Sequence, residues 1–204
     1  MTWVLSTAEL GLIGSWVSFY ALHSILASTK VKRILQEKWG MKDKNYRLGY
    51  SLFSTFLFVP ILIQILILPA RPLFEPSGLW EKAGYFLATL GVIISLKSFR
   101  GISISSFLGL SSPAGQEELR QDGLYAKTRH PMYLGIWLIF LGYFLTAGTL
   151  GSLIHWICLS IYLPFGIYWE EQKLIKTFGQ TYLNYQHQIP AFFPNPLKKG
   201  PKPL

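Results

Sequence analysis

One cysteine, Cys158, stands in the whole chain, which excludes an internal disulfide and a cysteine-based zinc cluster. Charge is sparse and one-sided. Asp and Glu number 10 against 19 Lys and Arg, and all four types together make up only 14% of 204 residues. No two glycines are spaced as Gly-x-Gly, so the dinucleotide-binding loop Gly-x-Gly-x-x-Gly is absent. No basic residue precedes the first apolar run, "MTWVLSTAELGLIGSWVSFYALHSILAS", and that run is long. A cleaved signal peptide has a basic start and a short core, so a retained helix is expected. Repeats, low-complexity tracts and linkers are also missing, which suits one domain over 1–204: front helices over 1–99 and a rear segment over 100–204.

What the chain has is apolar surface. Half of its residues are hydrophobic, 16% are aromatic, and mean hydropathy is +0.32. The apolar residues come in long blocks, the pattern of membrane helices. Five segments fit: about 4–28, 48–69, 83–99, 132–148 and 151–169. The fold class expected is an all-α integral membrane protein of about five transmembrane helices, ending in a helical hairpin. Between the first two segments, "KVKRILQEKWGMKDKNYR" holds seven Lys/Arg and two Asp/Glu, whereas the hairpin turn "TAGTLGS" has no charge. The tail carries Lys173, Lys176, Lys198, Lys199 and Lys202. The positive-inside rule puts the first loop, the 100–131 segment and the tail in the cytoplasm, and five crossings put the N-terminus outside. The net charge of +9 suits anionic membrane lipids. Its spread over juxtamembrane positions argues against nucleic acid.

The hairpin carries the polar residues of interest. His130 and Glu170 each lie twenty residues from Leu150 (150 − 130 and 170 − 150), so two arms of equal rise bring them to one level. "RHP" should then sit near "EE", Glu170–Glu171, at the cytoplasmic interface. Pro131 suits a first helical turn, where its missing N–H costs nothing. The free N–H groups that follow favour an anion, while the two glutamates, expected near the C-terminus of the second helix where its dipole disfavours negative charge, need a cation. Arg129 could supply that cation, or the ammonium of an amino-acid-like ligand could. Singly, such residues also fit side chains that snorkel to head groups or face water. No metal site is expected.

"DGLYAKTRHPMYLG" and "EEQKLIKTFGQTYLNYQHQIPAFFP" resemble the isoprenylcysteine carboxyl methyltransferase and phospholipid methyltransferase superfamily. Gly-x-Tyr, Arg-His-Pro-x-Tyr-x-Gly, Glu-Glu-x-x-Leu, Phe-Gly-x-x-Tyr-x-x-Tyr and Ile-Pro all stand within 122–194. The resemblance implies an integral-membrane methyltransferase using S-adenosyl-L-methionine, held at the cytoplasmic end of the hairpin without a Rossmann domain. By position it places Tyr125, His130, Pro131, Met132, Tyr133 and Glu170 at the cofactor, with Glu117, Glu118, Leu119 and Arg120 contributing from the preceding loop. Arg129 and Glu171 would brace them.

The front half, "FYALHSILASTKVKRIL" and "NYRLGYSLFSTF", resembles bacterial relatives, including methanethiol methyltransferases and NnrU-like proteins. A bacterial inner membrane is the implied location. In the prenylcysteine enzymes an arginine stands one turn before the first glutamate of the pair. Here that position is Gly166, so an apolar, lipidic or small thiol acceptor is expected in place of a prenylcysteine carboxylate. Phe19, Tyr20, His23 and Phe53 offer walls for it. A thiol or amine acceptor must lose a proton, and Glu170, Glu171 and His23 are the candidate catalytic bases. For His23 the packing reading is preferred. Phe178, Tyr182 and Tyr185 read as a packing stripe, Glu9 as structural and His155 as interfacial. Pro190, Pro194 and Pro196 suggest a tail folded over the site, and Trp3 an interface anchor.

Two other readings differ in class. A sterol-reductase-like enzyme using NADPH has a similar C-terminal region, but its pattern has Asn between Pro and Tyr and an Asp-Glu pair, where this chain has Met132 and Glu170. A non-enzymatic NnrU-like membrane protein would keep the scaffold alone.

The topology is open to direct test. In a Cys158→Ser background, a cysteine placed near the C-terminus should be labelled only from the cytoplasmic side of intact cells. Labelling from outside would refute the orientation.

Overall fold

The computed structural model describes residues 4–100 and 118–194. Trp3, Glu117, Pro196, Lys198, Lys199 and Lys202 lie outside the described residues. Among the described residues there are seven α-helices and one 3-10 turn: α1 (Thr7–Leu26), α2 (Thr29–Trp39), α3 (Asp43–Ile67), α4 (Gly78–Ser98), the turn Gly123–Ala126, α5 (Pro131–Ala147), α6 (Leu150–Phe178) and α7 (Gln180–Gln188). The all-helical expectation holds, and each of the five apolar segments lies largely within a helix. Three helices, α3, α4 and α6, are each long and apolar enough to cross a membrane. α1 and α2 pass that test only together, bent by 59°, and α5 is apolar but shorter.

The chain divides into two compact units. One runs up to Arg71 and holds α1–α3; the other holds Pro72–Arg100 and α5–α7. In the first, α1 and α3 run antiparallel, joined by polar pairs at successive levels. Tyr46 donates to the Leu26 carbonyl. His23 meets Ser54 Oγ at 3.1 Å and the Tyr50 hydroxyl at 2.9 Å. Gln64 donates to Ser15 Oγ at 3.0 Å. At the far end Arg71 donates to Glu9 at 3.3 Å, and Glu9 also closes the capping box with Ser6 that starts α1. The structural role expected of Glu9 is therefore visible. Such side-chain bonds hold helices together where hydrocarbon gives no hydrophobic drive between them.

In the second unit α4 and α5 pack antiparallel at unusually close range because small residues face each other. Gly84 and Gly91 on α4 meet Gly142 and Gly135 on α5. A Cβ at Gly91 would lie 2.5 Å from the Gly135 carbonyl oxygen, and one at Gly142 would lie 2.6 Å from the Gly84 oxygen. Both pairs are seven residues apart, two helical turns, so one face of each helix is open to the other's backbone.

α5 ends at Gly148, whose φ of 62° suits glycine, and Thr149 caps α6 through a box with Ser152. The Gly148 carbonyl accepts from Leu73 N at 2.7 Å, tying the segment ahead of α4 to the hairpin turn. Along the hairpin Trp137 Nε1 donates to Ser160 Oγ at 2.9 Å. His155, expected at the interface, is buried between Phe140 and Tyr143.

One expectation needs correction. The apolar run ends near residue 169, but α6 continues to Phe178 and stops only at Gly179, with φ 54°. Hydropathy marks where a helix leaves hydrocarbon and not where its hydrogen bonding ends. Glu170 and Glu171 therefore lie two turns inside α6 and not at its C-terminus. The unfavourable dipole invoked for them fades beyond the last turn.

Crowding at the α4–α5 contact separates two otherwise similar glycines. Gly91→Ala should destabilise the purified protein by about 1–3 kcal/mol through overpacking against backbone. Gly11→Ala, where a Cβ meets nothing within 4 Å, should leave the melting temperature unchanged or raised.

Candidate active site

The "RHP" and "EE" clusters meet. α5 starts at Pro131, as the proline's missing N–H allows, and His130 is its N-cap. Just before it, the backbone pairs with the chain after α7. Arg129 N donates to the Pro190 carbonyl at 2.9 Å and His130 N to the Ala191 carbonyl at 3.1 Å. Buried Thr128 donates through Oγ1 to the carbonyls of Ala191 and Phe192 at 3.0 and 2.8 Å. Phe192 and Phe193 then set their edges against Trp137. The segment after Pro190 thus folds back along the start of the hairpin.

Side chains complete the cluster. Arg129 reaches Glu171 Oε1 through Nε at 2.7 Å and Nη2 at 2.6 Å. Its Nη1 donates to the carbonyls of Gln186, at 3.0 Å, and Ile189. His130 Nε2 lies 3.1 Å from the same Glu171 oxygen, and its Nδ1 lies 3.6 Å from Glu170 Oε2. Gln186 donates to Glu171 Oε2 at 2.7 Å. The His130 ring is stacked on Tyr133 at 5.5 Å.

The two glutamates differ sharply. The Glu171 side chain is 9% exposed and both of its oxygens accept from Arg129, His130 or Gln186, while the Glu170 side chain is 42% exposed. Glu171 is committed to the scaffold; the Glu170 side chain is part-exposed, and its Oε2 is buried without a hydrogen-bond partner among the described residues. Glu171 is left with little free acceptor capacity, its oxygens being engaged by Arg129, His130 and Gln186.

Electrostatics follow. Burial lowers the His130 pKa, but hydrogen bonding and charge from Glu170 and Glu171 outweigh it and leave it raised above the ordinary 6.5. Burial raises the Tyr125 phenol; Arg120 opposes this and Glu170 adds to it. The Arg120 guanidinium lies 5.1 Å over the Tyr125 ring and donates to the carbonyls of Ser98 and Arg100. The Tyr125 carbonyl accepts from the Tyr185 hydroxyl at 2.6 Å.

Leu119 packs against a buried cluster of Tyr182, Tyr185 and Ile189, joined by Phe178, so this stripe packs as expected. Glu118 is exposed, and Met132 and Tyr133 are partly covered. At the start of α5 no side chain caps the helix. The His130 carbonyl accepts from Leu134 N, so the Met132 N–H stands ahead of the helix ladder. His23 belongs to the other unit, with the partners given above.

Sequence reasoning missed Gln186 and Thr128. Thr128 stands inside the basic run but pairs 63 and 64 positions away, and Gln186 is an uncharged residue that reaches Glu171 across 15 positions and Arg129 across 57.

The phospholipid methyltransferase family model matches residues 80–181. Methanethiol S-methyltransferase 2 of Bradyrhizobium diazoefficiens is 27% identical over 92% of this chain and 77% of its own length. The methanethiol S-methyltransferase of Crocosphaera subtropica is 30% identical over 91% of this chain and 73% of its own. The protein-S-isoprenylcysteine O-methyltransferase of Schizosaccharomyces pombe is 34% identical, over 36% of this chain and 31% of its own. No solved structure matches.

The buried pair makes a measurable demand. Glu171→Ala leaves Arg129 buried without its carboxylate and should destabilise the protein by about 3–5 kcal/mol in thermal or denaturant unfolding. Because the folded pKa of His130 is raised, its charged form stabilises the fold fully below pH 6.5, and that stabilisation is lost as pH rises through the folded pKa. His130→Asn should remove this slope.

The family match covers half of the chain, relatives of the methyltransferase kind cover most of it, and the matched stretch contains the Arg-His-Pro and Glu-Glu clusters; the chain belongs to the phospholipid methyltransferase family of membrane methyltransferases.

Proposed function

We propose that this chain transfers a methyl group from S-adenosyl-L-methionine to a small thiol or another apolar acceptor at the membrane interface. The observation that carries the reading is the part-exposed Glu170 side chain beside the start of α5, whose buried Oε2 has no hydrogen-bond partner among the described residues. A zwitterion needs one negative and one positive partner close together. Glu170 would take its ammonium, and the Met132 N–H at the positive end of α5 would take its carboxylate. Tyr125, His130, Pro131 and Tyr133 would line the same place. The donor set therefore fits the methionine part of the cofactor, which when bound supplies a methyl group on an electrophilic sulfonium.

The chain's own work is positioning. Arg129 and Gln186 hold Glu171, Glu171 holds His130, and the His130 ring stands 3.6 Å from Glu170, so the charged groups around the ligand are set in place by the scaffold. Excluding water is the second task, because water competes as a nucleophile. No base is assigned for a thiol proton.

The acceptor class rests on Gly166 and on the relatives. Gly166 is buried, and a Cβ there would lie 3.0 Å from the Tyr162 ring. Tyr162 occupies the space where a cation for a substrate carboxylate would stand. The relatives that cover most of the chain are named for methanethiol. Methyltransferase names among the relatives do not favour the NADPH-dependent reductase or the non-enzymatic reading. Within this reading the chain crosses a bacterial inner membrane five times, with its N-terminus outside and its cofactor side cytoplasmic.

Calorimetry on the purified protein should show S-adenosylmethionine or its demethylated product binding at micromolar levels, about −8 kcal/mol, with no binding of NADPH. Glu170→Gln should weaken binding on the order of tenfold or more, since a charge-assisted contact is lost. With labelled cofactor, small alkyl and aryl thiols should be methylated, and a farnesylcysteine analogue and phosphatidylethanolamine should not. Unchanged binding in Glu170→Gln would refute the site. Methyl-ester formation on the farnesylcysteine analogue without thiol turnover would refute the acceptor class.

A further inference from the structure

Helix α2 is unlike its neighbours. Its 11 residues include none that is buried, and Trp39 is 75% exposed. Yet the helix is strongly two-faced. At 3.6 residues per turn Val31, Ile34, Leu35 and Trp39 fall within an arc of about 140°, with Lys38 inside it. Lys30, Arg33 and Glu37 lie on the opposite side. Val31 and Leu35 are partly covered, but Ile34 and Trp39 stand exposed among the described residues, and that part of the apolar face needs another partner.

Both ends of α2 are tied to apolar helices. α1 has 20 residues, about 30 Å, and so covers the hydrocarbon thickness alone. At Ala27 and Ser28 the chain turns by 59°, and the Ser28 side chain caps the new helix. At the other end Gly40, with φ 61°, stops α2, and α3 begins three residues later. A helix of roughly 16 Å held this way between two membrane helices stays at their common end, where hydrocarbon gives way to head groups. Counting α1 and α2 as one broken span would place Lys30, Lys32, Arg33 and Glu37 in the hydrocarbon, at high cost.

Charge names the partner. Lys32 pairs with Asp43, and Arg33 lies 3.6 Å from Glu37. The stretch 30–47 still has an excess of five positive charges (seven minus two). We infer that α2 lies flat in the membrane interface, its apolar face among the upper acyl chains and its basic residues on the phosphates of anionic phospholipids. Lys38 reaches the head groups by extending its stem along the apolar face. Trp39 sits at the head-group level, the depth that tryptophan prefers. This reading needs the membrane helices of α1 and α3 and is independent of the methyl acceptor.

The test uses full-length Cys158→Ser protein in vesicles. An environment-sensitive label is placed at Ile34→Cys on the apolar face, or at Glu37→Cys on the polar face. Quenching by brominated lipid is compared in phosphatidylcholine alone and in phosphatidylcholine with phosphatidylglycerol. The label at 34 should be quenched strongly, the label at 37 weakly, and the contrast should grow with phosphatidylglycerol. Lys30→Gln, Arg33→Gln and Lys38→Gln should each shift the docked fraction by about fivefold. A salt titration of the unneutralised protein reads the same dependence without relying on those variants. Equal quenching at both positions in the anionic vesicles would overturn the inference. So would quenching at 34 that ignores both salt and phosphatidylglycerol. Shielding of position 34 by cross-linking to a second protein copy, with no lipid quenching, would also overturn it.

Discussion

The Glu171 carboxylate organises the second unit. It is nearly buried, and it binds Arg129, His130 and Gln186 at once. Those three groups come from the segment before α5, the start of α5 and the short helix α7. A single anion thus fixes three parts of the chain to α6. Arg129 extends the link to the carbonyls of Gln186 and Ile189, and the backbone of 129–130 pairs with that of 190–191. A buried charge pair contributes little net stability over an apolar substitute, but breaking it is costly, so it acts as a lock on arrangement.

This lock explains why two adjacent glutamates have different tasks. Successive residues on a helix point about 100° apart, so only one of them can face the cluster beneath the hairpin. Glu171 does, and Glu170 is left part-exposed, with the His130 ring 3.6 Å from its Oε2. Lys173 adds a positive charge near the same carboxylate. A ligand-binding carboxylate with this support is pre-organised, and little ordering remains to be done on binding.

The hairpin also needs a firm base beneath the cluster. α4 supplies it by backing onto α5 through glycines, at a distance where backbone atoms touch. In a membrane this packing substitutes for the hydrophobic drive that soluble helices have, and it leaves little freedom to slide. The first unit uses different means for the same end, with hydrogen-bonded side chains spaced along α1 and α3. Two helix-joining strategies therefore occur in one short chain: close backbone contact around the polar cluster, and polar pairing in the front helices.

Much was legible before any coordinates. Long apolar blocks require helices, because lipid cannot satisfy free backbone groups. Equal arm lengths about Leu150 bring His130 to Glu170, because helical rise is constant. Arg-His-Pro and Glu-Glu as motifs point to the family, and Pro131 to the start of α5. Other features depended on the third dimension. The end of α6 at Gly179 was hidden because hydropathy reports the surrounding solvent and not hydrogen bonding. The facing glycines of α4 and α5 are ordinary in either helix alone and acquire meaning only when opposed. The same holds for Thr128, whose partners are 63 and 64 positions away, and for Gln186, which joins Glu171 to Arg129. The sequence by itself determined the helices, the hairpin and the residue types at its polar end, because these follow from local periodicity and solvent. Only the tertiary structure decided which glutamate is locked and which is exposed, because that choice depends on what packs against each side of one helical turn.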